Sequence, residues 1–331
     1  MFTNLGNIAL PLAVWLADDD YDLIPRKNMI SATSLLKPMK SLVLSQRIAE
    51  MKIATVIELQ DQIPSRLGTA IHAGVENAWR DGRWRKTMLS LGHPQSLIDQ
   101  VHVYQDVMPD LNKIDFDAYN IFIEIRTERN IMGYSISGRL DFLQNGRVAD
   151  VKSTKVYNWI KGGNDKKYAM QGSIYRWLNP KIILSDQMDV HYFFTDWEPF
   201  TAAKDKKYPN CKIMTRTLPL MPIPQVEHFI RTKIIKLESL LPLKEVDMPR
   251  CTPEEVWQQP TKYAYYKNPN KMARATKVFD SDFQATTRYG EDGSVGTVVT
   301  RPGKVKFCRY CPARPICQQA EGYTQQGLLA E

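Results

Sequence analysis

Residues 136–152 read ISGRLDFLQNGRVADVK and decide the predicted fold. Apolar and other residues alternate from Ile136 to Phe142, which is the period of a β-strand. Asn145-Gly146 follows, and Asn-Gly between two such runs is the strongest short signal for a β-hairpin with a two-residue turn. We therefore predict two antiparallel strands that turn at this dipeptide.

The predicted turn places two carboxylates opposite each other. Counting from it puts Asp141 across from Asp150, in a non-hydrogen-bonded pair whose Cβ atoms are about 4.5 to 5.5 Å apart. Like charges this close are destabilising unless a cation lies between them, and Mg²⁺ or Mn²⁺ accepts two carboxylates. The strand period of two adds Lys152 to the face of Asp150. The alternative is a slipped register with scattered, exposed charges.

Two carboxylates and a lysine suit phosphodiester hydrolysis. A divalent metal polarises the phosphoryl oxygen and lowers the pKa of a bound water. An adjacent ammonium positions that water or offsets the developing charge. The hairpin therefore predicts a catalytic site at Asp141, Asp150 and Lys152.

The segments before and after the hairpin contain further candidate site residues at helical spacing. His72 and Glu76 are four residues apart on a helix predicted to begin with Thr69 as its N-cap. A lone helical histidine is more often a packed or solvated residue than a metal ligand. Gln171 and Tyr175 share one face of a later predicted helix, where packing is the plainer interpretation.

The composition is that of a globular protein with a basic balance. A hydrophobic content of 43% and a charged content of 24% argue against a disordered chain. The net charge of +8 favours a polyanionic partner, but it also suits a protein that is merely soluble. No segment approaches the roughly 18 apolar residues of a membrane span or resembles a signal peptide. We therefore expect a cytoplasmic protein without a membrane partner.

Three cysteines near the C-terminus, Cys308, Cys311 and Cys317, have a spacing suited to one metal centre. Disulfides are rare in a cytoplasm, so a metal or cluster is the better interpretation. Residues 249–303 are poor in apolar runs, and metal binding would supply the folding free energy that this lobe lacks. We predict Cys251 as the fourth ligand, with Cys211 or a non-cysteine group as alternatives.

Basic residues follow the hairpin closely, and they could line a groove for DNA phosphates. Aromatic residues interleave with them, as in proteins that stack single-stranded bases. The alternative is a solvated basic loop. The predicted DNA-binding lysines are Lys155, Lys161, Lys166 and Lys167, interleaved with Tyr157, Trp159 and Tyr168, and a second cluster contains Lys204, Lys206 and Lys207.

Taken together, the motifs resemble those of a known family. In chain order they are Gly68-Thr69-Ala70-Ile71-His72 with Glu76, Gly138-Arg139-Leu140-Asp141, Asp150-Val151-Lys152, and Gln171-x-x-x-Tyr175. The ordered set, from about residue 33 to 175, resembles the RecB-like branch of the PD-(D/E)XK nucleases. This resemblance implies an α/β fold with a restriction-endonuclease-like core, in which helices flank a mixed central sheet.

The resemblance also implies roles for these residues. Metal would be bound by His72, Asp141, Asp150 and the backbone carbonyl of Val151. Lys152 would be catalytic together with the two aspartates. Glu76, Gln171 and Tyr175 would complete the catalytic set. Of these, Gln171 and Tyr175 would support the site and contact DNA.

The cysteine spacing is similar to that of iron-sulfur nucleases in the same superfamily, the AddB type and the CRISPR-adaptation type. This favours a [4Fe-4S] cluster over Zn²⁺, with free thiols as the third alternative. In those relatives a fourth cysteine precedes the motif histidine, whereas here no cysteine precedes His72. The departure leaves the fourth ligand open between the groups named above.

The sequence thus predicts a helical N-terminal part at residues 1–60, a nuclease core at 61–245 and a cysteine-stapled, metal- or cluster-binding lobe at 246–331. We expect a DNA exonuclease that uses Mg²⁺ or Mn²⁺ in recombination, repair or replication. A phage or mobile element is the expected source, and a phage-encoded protein would act in the host cytoplasm. Its expected partners are DNA that is single-stranded or has a free end, and a recombination or single-strand-binding protein. The alternatives are a structure-specific or nicking endonuclease and a non-catalytic DNA-binding protein.

Overall fold

The structure, a computed structural model, describes residues 1–18, 26 and 28–330. Its strands are β1 (Phe2–Thr3), β2 (Met29–Ser31), β3 (Ile57–Glu58), β4 (Val101–Gln105), β5 (Tyr119–Ile131), β6 (Tyr134–Gln144), β7 (Arg147–Thr154), β8 (Gln187–Phe194), β9 (Ile213–Pro219), β10 (Lys262–Tyr266), β11 (Lys277–Phe279) and β12 (Thr297–Arg301). Its α-helices are α1 (Leu10–Ala17), α2 (Ala32–Leu35), α3 (Met39–Glu50), α4 (Leu59–Trp79), α5 (Arg83–Ser90), α6 (Gln95–Asp99), α7 (Val156–Lys161), α8 (Asp165–Leu178), α9 (Pro199–Lys204), α10 (Ile223–Leu240), α11 (Asp282–Glu291), α12 (Phe307–Tyr310) and α13 (Gln318–Gln325).

The chain forms two compact units. The first unit contains residues 1–36 and 56–235, and the second unit contains residues 37–55 and 236–331. Residues 37–55, which include α3, therefore group with the C-terminal part of the chain. The three-part division predicted from the sequence stays a prediction.

The first unit is built on a mixed seven-stranded sheet. Its strand order is β4-β5-β6-β7-β8-β9, and β2 pairs with β6 beside this path. The pairs β4–β5, β2–β6 and β7–β8 are parallel, and the remaining pairs are antiparallel. Helices α4 and α8 pack against the sheet. The predicted α/β fold, with helices flanking a mixed central sheet, is confirmed.

The predicted hairpin and its register are also confirmed. Asn145 and Gly146 have φ angles of 46° and 78°, and two central residues with positive φ are the mark of a type I′ turn. The ladder pairs Gln144 with Arg147 and ends at the pair of Phe142 with Ala149. Strand β7 stays paired in parallel with β8 beyond that point. Asp141 and Asp150 are therefore the next residues, where β6 and β7 separate.

Gly138 lets helix α8 lie directly on β6. A Cβ atom at this position would come within 2.7 Å of the Leu178 side chain and 3.0 Å of the Tyr175 ring. Ile174 and Trp177 of the same helix are fully buried. The missing side chain thus fixes how close α8 comes to the strand that carries Asp141.

Helix α4 begins at Leu59, so the prediction that Thr69 is its N-cap is wrong. Thr69 lies inside the helix, and its hydroxyl donates to the Ser65 carbonyl at 3.2 Å. The sequence misled because Pro64 lies within the helix and removes one backbone donor, which usually marks a break.

The second unit has its own small sheet and apolar cluster. Strands β11, β10 and β12 form an antiparallel sheet in that order. A separate cluster packs Val256, Val305, Cys308 and Ala320 together. Arg47 of α3 donates to the carbonyls of Leu241 and Leu243 at 2.9 and 2.6 Å, which ties α3 to the C-terminal residues.

Candidate active site

A cleft of about 580 Å³ in the first unit is lined by five of the eight residues predicted as catalytic or metal-binding. Helix α4 and strands β5, β6 and β7 supply its walls. The chemically active residues that line it are His72, Glu76, Glu124, Arg139, Asp141, Val151 and Lys152.

His72 of α4 lies against the strands that carry the predicted metal ligands. Its Nε2 donates to the Val151 carbonyl at 2.8 Å, and its Nδ1 is 3.4 Å from Asp141 Oδ2. Burial lowers the pKa of His72, and the charge of Lys152 lowers it further. The imidazole is therefore neutral at neutral pH, which is the form that binds metal.

Asp150 and Lys152 form a buried ion pair on β7. Lys152 Nζ is 2.8 Å from Asp150 Oδ1, and Asp150 is only 2% exposed. Burial raises the pKa of Asp150 to about 7, although the ammonium of Lys152 opposes this shift. Burial lowers the pKa of Lys152, but the charges of Asp150 and Asp141 outweigh it and hold the pKa above its usual value. Lys152 is therefore an ammonium group.

The oxygen atoms of this site fit a divalent cation. Oδ2 of Asp141 and Oδ2 of Asp150 are buried, and neither has a hydrogen-bond partner among the residues that the structure describes. Ligand atoms of His72, Glu124 and Asp141 lie within 4.8 Å of one another. Buried carboxylate oxygens are normally paired or bound to metal. Mg²⁺ prefers such oxygen ligands, and Mn²⁺ also accepts an imidazole.

Glu124 is a site residue that the sequence reasoning missed. It has a φ of 55° inside β5, where the pairs of Ile123 with Phe142 and Ile125 with Leu140 continue on either side of it. This register places it across from Asp141. Arg139 Nε lies 2.8 Å from its carboxylate. Burial raises the pKa of Glu124, and the charge of Arg139 opposes the shift.

A sequence signal for Glu124 did exist. Met132 and Gly133 both have positive φ and form the two-residue turn between β5 and β6. Counting back from that turn, as was done from Asn145-Gly146, brings Glu124 opposite Asp141. The signal was weak because Met-Gly is not among the usual sequences of a type I′ turn.

The remaining predicted catalytic residues have other partners. Glu76 lies one turn after His72 and forms an ion pair with Arg80, which also bonds Asp106 at 3.1 Å. Gln171 and Tyr175 are buried, and Gln171 Nε2 donates to the Tyr175 hydroxyl at 2.7 Å. The structure therefore brings Gln171 and Tyr175 together on α8, with the Tyr175 ring against Gly138, and neither residue is among those that line the cleft.

The predicted DNA-binding lysines are exposed. They lie on or next to α7 and the first turn of α8 and are Lys155, Lys161, Lys166 and Lys167. Of the interleaved aromatic residues, Tyr157 is 65% exposed. Trp159 has the Arg216 guanidinium 4.0 Å from its ring centre, and Tyr168 lies 5.6 Å from Lys152 Nζ. Tyr157 is therefore the most accessible of the three for stacking.

The predicted cluster ligands lie in the second unit. Cys251, Cys308 and Cys317 belong to the same apolar cluster, and Cys311 Sγ is 3.2 Å from the Ser41 hydroxyl. Gln319 clamps the backbone of Cys251 with bonds of 2.8 and 2.9 Å. Burial raises the pKa of Cys251 to about 12 and that of Cys308 to about 11.

The chain was compared with protein families, curated proteins and solved structures. No curated protein matches the chain significantly. One solved structure, described as "Crystal structure of SSO0001", is similar at 16% identity and a TM-score of 0.39, over 68% of this chain and 84% of that one. The model of the PD-(D/E)XK nuclease superfamily, however, matches residues 46–318, which is most of the sequence. The chain therefore belongs to the PD-(D/E)XK nuclease superfamily.

Proposed function

We propose that this nuclease is a metal-dependent DNA exonuclease of the RecB-like branch, acting in recombination, repair or replication. One observation supports the proposal most. Four residues line the same cleft, namely His72, Asp141, Val151 and Lys152, and the His72 ring contacts both the Val151 carbonyl and the Asp141 carboxylate. A histidine on the helix before the sheet, facing the carboxylate strands, is the feature that the RecB-like motif order led us to expect.

The proposed metal ligands are His72, Asp141, Asp150 and the carbonyl of Val151, with Glu124 as an additional carboxylate. The buried Oδ2 atoms of both aspartates, which accept no hydrogen bond within the described part of the chain, support this assignment. When bound, Mg²⁺ or Mn²⁺ polarises the phosphoryl oxygen and lowers the pKa of a water molecule. Glu124 is held in place by Arg139, so it is oriented before any ligand arrives.

Lys152 is the proposed catalytic cation. Its charge is maintained by Asp150, and Lys152 is one of the residues that line the cleft. An ammonium at this position orients the attacking water and offsets the negative charge that develops on the phosphate. Because Asp150 Oδ1 bonds Lys152, the same carboxyl links the lysine to the proposed metal site.

The exposed lysines on and around α7 and α8 are the proposed contacts to DNA phosphates. Their exposure favours a long-range electrostatic role, whose hallmark is a steep loss of DNA affinity as salt is raised. Tyr157 is the proposed stacking residue for a single strand. A salt-independent affinity would remove the support for this surface.

We also propose that Cys251, Cys308, Cys311 and Cys317 hold a [4Fe-4S] cluster or a Zn²⁺ ion. Three of the four share one apolar cluster in the second unit, whereas Cys211 is an exposed residue of the first unit. This placement supports Cys251 as the fourth ligand. The four-thiol donor set suits either centre, and a brown colour that is lost on exposure to air would distinguish iron-sulfur from colourless zinc.

The deciding experiment compares linear and covalently closed circular DNA, single- and double-stranded, with Mg²⁺ or Mn²⁺. Asp150→Ala is the inactive variant, and Asp99→Asn is the control because Asp99 is exposed and bonds only the side chain of nearby Gln95 among its described side-chain contacts. We expect loss of linear DNA alone, abolished by Asp150→Ala and unchanged in the control. Cleavage of circles would indicate an endonuclease. DNA binding without degradation under either metal would indicate a non-catalytic protein.

A further inference from the structure

Lys40 is a buried cation in the second unit. It lies on α3 and is 6% exposed, which is rare for a lysine unless its charge is paired. Its Nζ is 2.8 Å from Glu245 Oε1 and 3.4 Å from the Glu245 backbone carbonyl. Burying this pair costs desolvation energy that an apolar pair would avoid. The position therefore calls for an explanation beyond packing.

The ion pair lies beside the cysteines. Ser41, the next residue after Lys40, contacts Cys311 Sγ at 3.2 Å. Glu245 Oε1 accepts a bond from the backbone N–H of Gln318, which follows Cys317, at 3.3 Å. The charge of Lys40 acts to lower the pKa of both Cys251 and Cys317, against the larger effect of burial, which raises it.

A centre held by four thiolates needs a cation nearby. Four thiolates more than cancel the charge of Zn²⁺ or of an oxidised [4Fe-4S] cluster, so the loaded centre is an anion in an apolar surrounding. An uncompensated buried anion is costly. Groups just outside the ligands commonly tune metal affinity for this reason.

We propose that Lys40 is the counter-ion of the cysteine centre. The Glu245 carboxylate partly neutralises the Lys40 ammonium, whereas the Glu245 backbone carbonyl, which a side-chain substitution leaves in place, holds it. This inference rests on the thiolate centre proposed above. It makes the two partners of one ion pair act in opposite directions on the bound metal. A pair that serves only to stabilise the fold would act in one direction, because removal of either partner leaves a buried unpaired charge.

The test uses the full chain, purified without oxygen with the metal it carries. The readouts are metal content per chain and the concentration of 1,10-phenanthroline that removes half of the metal. We expect Lys40→Met to lose half of its metal at a chelator concentration at least about tenfold lower than the unmodified chain requires. Lys40→Arg, which keeps the charge, should resemble the unmodified chain. Glu245→Gln should need as much chelator or more, because it leaves the ammonium undiminished.

The sign of the Glu245→Gln effect decides the matter even where Lys40→Met does not fold. If Glu245→Gln loses metal more readily than the unmodified chain, the counter-ion role is overturned and the pair is structural. Cys308→Ser separates this result from failure of the thiolate centre. If that variant carries as much metal as the unmodified chain, the centre itself is wrong and the role of Lys40 falls with it.

Discussion

The two units hold their candidate sites by different means. In the first unit the register of β5, β6 and β7 fixes Glu124, Asp141 and Asp150 through the backbone. In the second unit the cysteines lie on short helices or outside regular elements, and side-chain bonds such as the Gln319 clamp on Cys251 position them. The first site should therefore tolerate loss of a side chain without loss of fold. The second should lose structure together with its centre.

The largest effect that sharpens this contrast is expected from Lys152→Met. Nuclease activity should fall by about 100- to 1000-fold, because the charge that stabilises the transition state is gone. The fold should persist. Removing the ammonium removes the influence that opposes the raised pKa of Asp150, so this carboxyl, already at about 7, takes up a proton instead of remaining a buried anion.

The measurements for Lys152→Met are initial rates on end-labelled linear DNA and the thermal unfolding midpoint. Lys181→Met is the matched control, since Lys181 is an exposed lysine of the same unit. Loss of activity together with the unfolding transition would show that the fold at this site depends on the Lys152 ion pair and not on the register of β5, β6 and β7.

In the second unit, Cys308→Ser should cause loss of structure, in contrast to Lys152→Met, which should leave the fold intact. Loss of one thiolate should release the metal and destabilise the second unit on the order of several kcal/mol, because metal binding supplies part of its folding free energy. Limited proteolysis read by mass spectrometry should then find early cuts within residues 236–330, while residues 56–235 stay protected.

Cys211→Ser is the control for this variant, because Cys211 is an exposed thiol of the first unit. It should leave metal content and the proteolysis pattern unchanged. Equal protection of both units in Cys308→Ser would show that the second unit folds without its centre, and the contrast between the units would not hold.

A smaller effect is expected from Glu124→Gln. If Glu124 is a metal ligand, Mn²⁺ affinity measured by calorimetry should fall by about 10- to 100-fold, and saturating Mn²⁺ should restore part of the activity. Glu128→Gln is the control, since Glu128 lies exposed on the same strand and, like Glu124, pairs with an arginine, Arg26. Unchanged Mn²⁺ affinity in Glu124→Gln would limit the role of Glu124 to its ion pair with Arg139.

These residues also show what a sequence can predict. The hairpin and its register followed from Asn145-Gly146, because two positive φ angles in a two-residue turn leave one pairing. Glu124 was not predicted because the Met132-Gly133 turn has the same two positive φ angles but lacks the residues that usually form such a turn. The start of α4 was not predicted because Pro64 cannot donate a backbone hydrogen bond and so usually ends a helix, whereas here the helix continues through it. Sequence patterns within a few residues therefore predicted the strands, but not the features that depart from the usual turn and helix residues.

The second unit was harder to predict, for a related reason. Cysteine spacing indicated a centre, but nothing in residues 37–55 indicated that they fold with the C-terminal residues. Lys40 and Ser41 are polar residues that become buried only through contacts distant in sequence. A period of hydrophobicity carries no information about such contacts, so the ion pair beside the cysteines was visible only in the structure.

The smallest effect concerns Tyr175, where two roles compete. The sequence predicts contact with DNA, whereas the structure buries the ring at 4% exposure and pairs its hydroxyl with Gln171. We expect Tyr175→Phe to lower the free energy of unfolding by about 1 kcal/mol, because the Gln171 amide loses its acceptor. DNA affinity should stay unchanged, since a buried hydroxyl does not meet phosphates. Denaturant unfolding and fluorescence anisotropy with labelled DNA measure the two quantities separately. A fall in affinity at constant stability would restore the DNA-binding role, and it would mean that α8 moves off β6 when DNA binds.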